Sequence, residues 1–316
     1  MKTAVVAAYQ NFGCEGLCAL VRAGIEIRAV FTYADDPAEN TWFESVAQTA
    51  AGLGIPAYAP DDINHPLWLD RIRALEPDFL FSFFYRDLLC KELLDIPKVA
   101  ALNLHASLLP RYRGRAPINW VLVNGEQRTG VTLHHMTPRA DDGDIVCQAA
   151  LDIDRRDTAA TLNRRLVRLA AGMLDDCLPG LIAGTAARSP QDHSQATTFG
   201  RRGPGDGAID WRQSATAVCN LVRAVTLPYP GAFTARSGTT ITVWDAVEVA
   251  RGNGPGAAPG TVTALSPLTV SCGRGAVQIR AAQAAGGLFC NGERLAEELE
   301  LSVGTRLGKS RERRVR

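Results

Sequence analysis

The sequence predicts an α/β protein: a parallel sheet covered by helices on both faces, followed by a small β-barrel-like domain. Three observations predict it. Short apolar runs at 3–8, 25–31, 79–84 and 99–104 alternate with helical patterns, and the last two carry almost no polar residues. Strands that apolar are buried on both faces, which marks a parallel sheet. A polar stretch rich in Gly and Pro follows at 186–207, and beyond it runs of β character broken by Gly and Pro replace the alternation.

Each element has a local reason. Residues 3–8 form the first strand; polar Tyr9-Gln-Asn11 cuts the run short of any signal peptide or membrane span. Residues 15–22 read as a helix stopped by Gly24, and 25–31 as the second strand. Residues 42–53 are helical, closed by Gly54 and Pro56, and 67–75 form a further helix. The strands 79–84 and 99–104 complete the alternating pattern. After residue 128 come two strands, 129–135 and 145–153, then an amphipathic helix over 158–181 capped by Asp157 or Thr158. The predicted boundaries are a catalytic domain 1–189, a linker 190–207, a β-barrel-like domain 208–304 and a charged tail 305–316. Within the second domain, 214–224 is a short helix and 240–249, 261–264, 268–272 and 276–281 are strands.

Composition narrows the function. The 316 residues carry 34 Lys+Arg against 33 Asp+Glu, and a protein that lives on nucleic acid is more often clearly basic. A small-molecule substrate is therefore expected, with no nucleic acid and no membrane insertion. The eight cysteines form no Cys-x-x-Cys pair. They read as free thiols in a reducing cytoplasm, with no structural metal. Gly13 and Gly16 after the first strand are too few for a dinucleotide fingerprint.

The chemistry is concentrated at the end of the fourth apolar run, Val99-Ala-Ala-Leu-Asn-Leu-His105. Side chains in a strand alternate, so Asn103 and His105 share a face. One donates amide hydrogens and the other exchanges a proton near neutral pH. In parallel sheets ligands bind at the carboxyl ends of strands, where these two lie. An acid placed to hold the imidazole is expected in the turn Thr137-Pro-Arg-Ala-Asp-Asp-Gly-Asp144, with Asp141 the best candidate and Asp142 and Asp144 its rivals. Asn, His and Asp together suit acyl transfer, in which an amine attacks a carbonyl carbon directly. Arg111, Arg113 and Arg115 suit an anionic substrate, and Arg201 and Arg202 suit a diphosphate. His134 and His135 are adjacent, so they face opposite sides of their strand and do not share a metal.

The segment Asn103-Leu-His-Ala-Ser-Leu-Leu-Pro-Arg-Tyr-Arg-Gly-Arg-Ala-Pro-Ile-Asn-Trp120, with the Asp141 turn, resembles the 10-formyltetrahydrofolate-dependent formyltransferases. Trp211 and Tyr229-Pro-Gly-Ala-Phe233 extend the likeness into the second domain. Within that family the likeness is greatest to the formyltransferases acting on UDP-4-amino-4-deoxy-L-arabinose, on Asn64-His-Pro-Leu-Trp68, Phe81-Ser-Phe-Phe-Tyr-Arg86, Arg113-Gly-Arg-Ala-Pro-Ile-Asn-Trp120 and Phe199-Gly-Arg-Arg202. The resemblance implies a Rossmann-like catalytic domain, an OB-like second domain and 10-formyltetrahydrofolate as formyl donor. It implies His105 as general acid/base, Asn103 as transition-state donor and Asp141 as the group raising the pKa of His105. It implies folate contacts at Asp87, Leu88, Leu89, Arg115 and along Thr137, Pro138, Arg139, Ala140 and Asp141. It also implies lipid A modification, polymyxin resistance and a UDP-glucuronate decarboxylase as fusion or partner. Ala106 and Asp87 depart from the closest pattern, where Gly and His are common. Water in place of the amine would make a formyltetrahydrofolate hydrolase; two further rivals are a methionyl-tRNA formyltransferase and a non-catalytic nucleic-acid-binding module. Residues 31–40 carry no Lys or Arg, and the second domain lacks interleaved basic and aromatic residues, which counts against both.

Overall fold

The chain opens with strand β1 (Thr3–Ala8), every residue of which is buried. Such a strand needs cover on both faces, and the elements after it supply that cover. In the computed structural model, which describes residues 1–35, 40–249 and 257–308, they are α1 (Gln10–Arg22), β2 (Glu26–Phe31), α2 (Val46–Gly52), β3 (Ala57–Tyr58), α3 (Pro66–Ala74), β4 (Phe79–Phe83), α4 (Lys91–Leu94) and β5 (Ala100–His105). Then come β6 (Arg113–Gly114), α5 (Pro117–Val123), β7 (Arg128–His135), β8 (Ile145–Asp152), α6 (Ala159–Ala183) and β9 (Thr198–Phe199).

Seven strands form one sheet in the order β3-β2-β1-β4-β5-β7-β8. The strands from β3 to β5 are parallel, whereas β7 pairs antiparallel with β5 and β8 antiparallel with β7. The expected Rossmann-like sheet is present, and the strands after residue 128 extend it rather than starting a separate layer. Phe79, Phe81 and Phe83 of β4 are fully buried, each burial favouring the fold by about 2–3 kcal/mol. One face of the sheet packs Val5, Ala7, Phe31 and Leu80 against Ile72 of α3 and Leu93 of α4. On α1, Gly16 approaches β4 so closely that a Cβ there would lie 2.3 Å from the Phe83 ring. The glycines after β1 thus serve helix–strand packing.

Helix boundaries differ from the sequence reading where polar residues begin or end a turn. Helix α1 starts at Gln10, five residues earlier than expected. Helix α2 starts at Val46, capped by the Ser45 hydroxyl. Trp42 and Phe43 lie before it, with Phe43 edge-on to Tyr9.

By its internal contacts the chain divides into two units. The first holds residues 1–117, 128–152 and 163–200, so most of the polar stretch 190–207 belongs to it. The second holds residues 118–127, 153–162 and 201 onward. Its later elements are α7 (Ala215–Val225), β10 (Ala232–Arg236), β11 (Thr239–Val249), β12 (Val262–Leu265), β13 (Leu268–Ser271), β14 (Ala276–Ala284) and α8 (Gly292–Glu298). Five strands form an antiparallel sheet in the order β10-β11-β14-β13-β12. Residues 305–308 bridge its two edges. Gly308 exchanges both backbone hydrogen bonds with Ala235 of β10, and the Thr305 carbonyl accepts from Val262 of β12. The sheet is thereby closed into the expected barrel-like form. The charged tail from residue 309 lies outside the described residues.

Candidate active site

Strand β5 delivers Asn103 and His105 to one face at its carboxyl end, as the two-residue period requires. Antiparallel pairing sets His134 of β7 directly opposite Asn103. The chain then leaves β7, turns through 136–144 and returns as β8. At Asp141 the backbone adopts φ +55°, the left-handed region that Asp tolerates better than most residues. Gly143 permits the return, because a Cβ there would lie 2.0 Å from the His135 carbonyl oxygen.

The four side chains converge. His105 Nδ1 lies 3.5 Å from Asp141 Oδ1, and His134 Nε2 lies 3.4 Å from the same oxygen. Asn103 Nδ2 is 3.2 Å from Asp141 Oδ1 and 3.1 Å from His134 Nε2. The second carboxylate oxygen accepts from the Gly114 N–H at 2.8 Å. The Asp141 side chain is 11% exposed, that of His105 8% and that of His134 2%.

Partners fix the protons. His105 Nε2 sits 2.7 Å from the Tyr112 carbonyl oxygen, which only accepts, so Nε2 carries hydrogen and Nδ1 is the atom left to exchange a proton. The same logic applies to His134, whose Nδ1 donates to the His135 carbonyl at 2.8 Å, so Nε2 of the neutral ring accepts from Asn103. A carboxamide oxygen turned toward Asp141 would face a carboxylate, so the Asn103 nitrogen must be the end that points there. Burial alone would push the Asp141 carboxyl up. The charge of His105, the hydrogen bond and charge that His134 supplies once its Nε2 is protonated, and the Gly114 N–H outweigh burial and hold it well below the ordinary carboxylate range.

The other acids of the turn are engaged elsewhere. Asp142 accepts from the Thr137 hydroxyl and pairs with Arg139, and Asp144 pairs with Arg188 at 2.7 Å. Of the expected folate contacts, Leu88 is 66% exposed while its carbonyl accepts from Asn64 at 3.0 Å. Leu89 is buried in the core beside Leu93. Asp87 accepts from the Tyr33 hydroxyl at 2.9 Å, and Arg115 donates to the Arg86 carbonyl at 2.9 Å. Thr137 Oγ1 accepts from the Arg139 N–H at 3.2 Å, within the turn that also carries Pro138 and Ala140.

Of the arginines expected at an anion, Arg113 is spent on the protein's own groups. Arg113 is buried, with its guanidinium on Gln191 and His193. Arg202 lies in the second unit, 4.4 Å over the Trp120 ring. Sequence reasoning missed His134, because the register of β5 against β7 is a tertiary property, and it missed the Tyr112 carbonyl, because a backbone atom leaves no residue signal. Among the described residues no group of three or more His, Cys, Asp or Glu is placed to hold a metal, and no helix is long and apolar enough to cross a membrane.

Residues 1–177 match the family described as formyl transferase, and residues 203–299 match the formyl transferase C-terminal domain. The chain belongs to the formyl transferase family. Solved structures share the fold at low identity. One is the N-formyltransferase from Helicobacter canadensis in complex with folinic acid and dTDP-3-aminofucose, at TM-score 0.68 and 18% identity, covering 88% of this chain and 99% of that one. A second is WlaRD, a sugar 3N-formyl transferase, in the presence of dTDP and 5-N-formyl-THF, at TM-score 0.68 and 19% identity over 91% of this chain and 99% of that one. A third is HypX from Aquifex aeolicus in complex with tetrahydrofolic acid, at TM-score 0.63 and 19% identity, matching 96% of this chain and 48% of that one. This formyl transferase therefore pairs a catalytic-domain sheet with the second domain that its family also carries.

Proposed function

We propose that this formyl transferase moves a formyl group from 10-formyltetrahydrofolate to the 4-amine of UDP-4-amino-4-deoxy-L-arabinose. The observation that carries the reading is the convergence of Asn103, His105 and Asp141 at the carboxyl end of β5. The amine attacks the formyl carbon of the donor, which enters as a substrate, and a C–N bond forms. The carbonyl oxygen becomes an oxyanion. Asn103 Nδ2 gives up one of its two long hydrogen bonds to stabilise that oxygen. His105 Nδ1 takes the proton lost by the attacking nitrogen and returns it to the leaving folate nitrogen as the old C–N bond breaks. Asp141, ionised throughout, steadies the imidazolium between those two transfers.

The folate reading is supported by the turn 137–141, which carries the acid, and by the exposed Leu88, two residues beyond the Arg86 whose carbonyl binds Arg115. The sugar reading is supported by the shared Arg113–Trp120 segment and by the structural neighbours that hold dTDP or a dTDP-aminosugar. Arabinose, and with it lipid A modification in the cytoplasm, rests on the resemblance. Incubation with 10-formyltetrahydrofolate and, in parallel, UDP-4-amino-4-deoxy-L-arabinose, other nucleotide-linked aminosugars and methionyl-tRNA tests it. Formylation of the UDP-arabinosamine with the highest kcat/KM is expected; formylation of tRNA alone overturns the substrate.

A further inference from the structure

Residues 178–202 lie outside both family matches, yet part of that stretch grips the candidate site. Ser189 exchanges backbone hydrogen bonds with Ile145, at the start of β8. Thr197 accepts twice, from the Tyr112 N–H on its hydroxyl and from the Arg113 N–H on its carbonyl, each at 2.8 Å. Phe199 accepts from the Arg115 N–H at 2.9 Å and stacks on the Tyr112 ring at 4.8 Å. The segment therefore ties together the two pieces of chain that flank the catalytic acid: the turn carrying Asp141 and the stretch 112–115 whose Gly114 N–H binds it.

Gln191 stands at the centre of that tie. It is 6% exposed and Arg113 is 9% exposed. Its Oε1 accepts from Arg113 Nε at 3.1 Å and from Nη2 at 2.6 Å. Its Nε2 donates to the Asp141 carbonyl at 2.9 Å and to the Gly143 carbonyl at 2.6 Å. Arginine only donates and carbonyls only accept, so the ends of the carboxamide are unambiguous. Every hydrogen-bonding capacity of the amide is used. No other side chain of this length offers two acceptor lone pairs at one end and two donors at the other. The left-handed backbone of Asp141 is thereby held from its own carbonyl, while its carboxylate is held from Gly114.

We propose that Gln191 is a positioning residue for formyl transfer. Clamped between the Arg113 guanidinium and the carbonyls of Asp141 and Gly143, it holds the Asp141 carboxylate against the His105 imidazole. The proposal rests on the reading of His105 and Asp141 given above. Its test is Gln191→Leu in the full chain, which removes the clamp and adds no charge. Gln191→Glu is the companion; it keeps a partner for Arg113, and therefore the fold, but sets a carboxylate oxygen before the two carbonyls.

Both variants are expected to lose about tenfold or more in kcat, with KM for donor and acceptor nearly unchanged, as a displaced catalytic group predicts. In Gln191→Leu the His105 ring resonances, assigned by their absence from the spectrum of His105→Asn, are expected to move at fixed pH in histidine NMR, because the carboxylate beside the ring is less well placed. Either variant, folded and turning over within about twofold of the parent, overturns the proposal. So do unmoved His105 ring resonances in Gln191→Leu. The spectrum needs no substrate, so it decides the role of Gln191 even if the parent protein formylates no aminosugar.

Discussion

Asp141→Asn isolates the charge of the catalytic acid at constant shape. The carboxylate lies 3.5 Å from His105 Nδ1, and at that separation a full ion pair is worth about 4–5 kcal/mol at an effective dielectric near 20. Only part of a charge develops on the imidazole in the transition state, so about half, roughly 2 kcal/mol, is the share that bears on rate. The amide also brings an N–H where the carboxylate accepts, either from Gly114 or from Asn103, and losing one such bond costs about 1 kcal/mol more. The sum, about 3 kcal/mol, is on the order of a 10²-fold fall in kcat. Tetrahydrofolate release, followed with the preferred aminosugar across the pH range, measures it. KM is expected to change little, because the carboxylate lies against the imidazole. A variant that keeps kcat within about threefold of the parent refutes the role of the charge.

Asn103→Ala removes the oxyanion donor and should cost about 3 kcal/mol in kcat, a loss on the order of 10²-fold, with circular dichroism unchanged. Gly16→Ala drives a methyl into the Phe83 ring and should cost about 1–3 kcal/mol of stability, read as a lower Tm, while kcat at low temperature is retained. Acid should weaken the fold through Asp141: its folded pKa lies below the unfolded value, so its contribution is present above about pH 4 and is lost as pH falls through the folded pKa. Urea midpoints should therefore drop on acidification below about pH 4, and drop less in Asp141→Asn.

The sheet was legible because β1, β4 and most of β5 are apolar on both faces, a pattern that few other arrangements tolerate. The shared face of Asn103 and His105 was legible for the same reason, since the period of a strand is geometric. What joins them was not. His134 reaches the site through the cross-strand register of β5 and β7, which depends on how the chain returns after α5. Gln191 reaches it from a stretch whose Gly and Pro content reads as linker, although that stretch includes a strand pairing with β6. Arg113 looked like a substrate contact because a sequence shows the charge of a residue and not its depth; here the guanidinium is spent on the protein itself. Short elements such as β3, β6 and β9, of two residues each, carry no periodicity at all.

The four residues at 305–308 have a practical meaning for anyone who shortens this chain. A C-terminal cut at 304 looks harmless on paper, since it trims only a polar, highly charged end. It would strip the staple from both flanks of the five-stranded sheet, baring the N–H and C=O groups of β10 and β12 that this staple now occupies. Naked strand flanks recruit other molecules. A protein trimmed there should come out of solution as clumps, whereas one ending after 308 should stay dispersed.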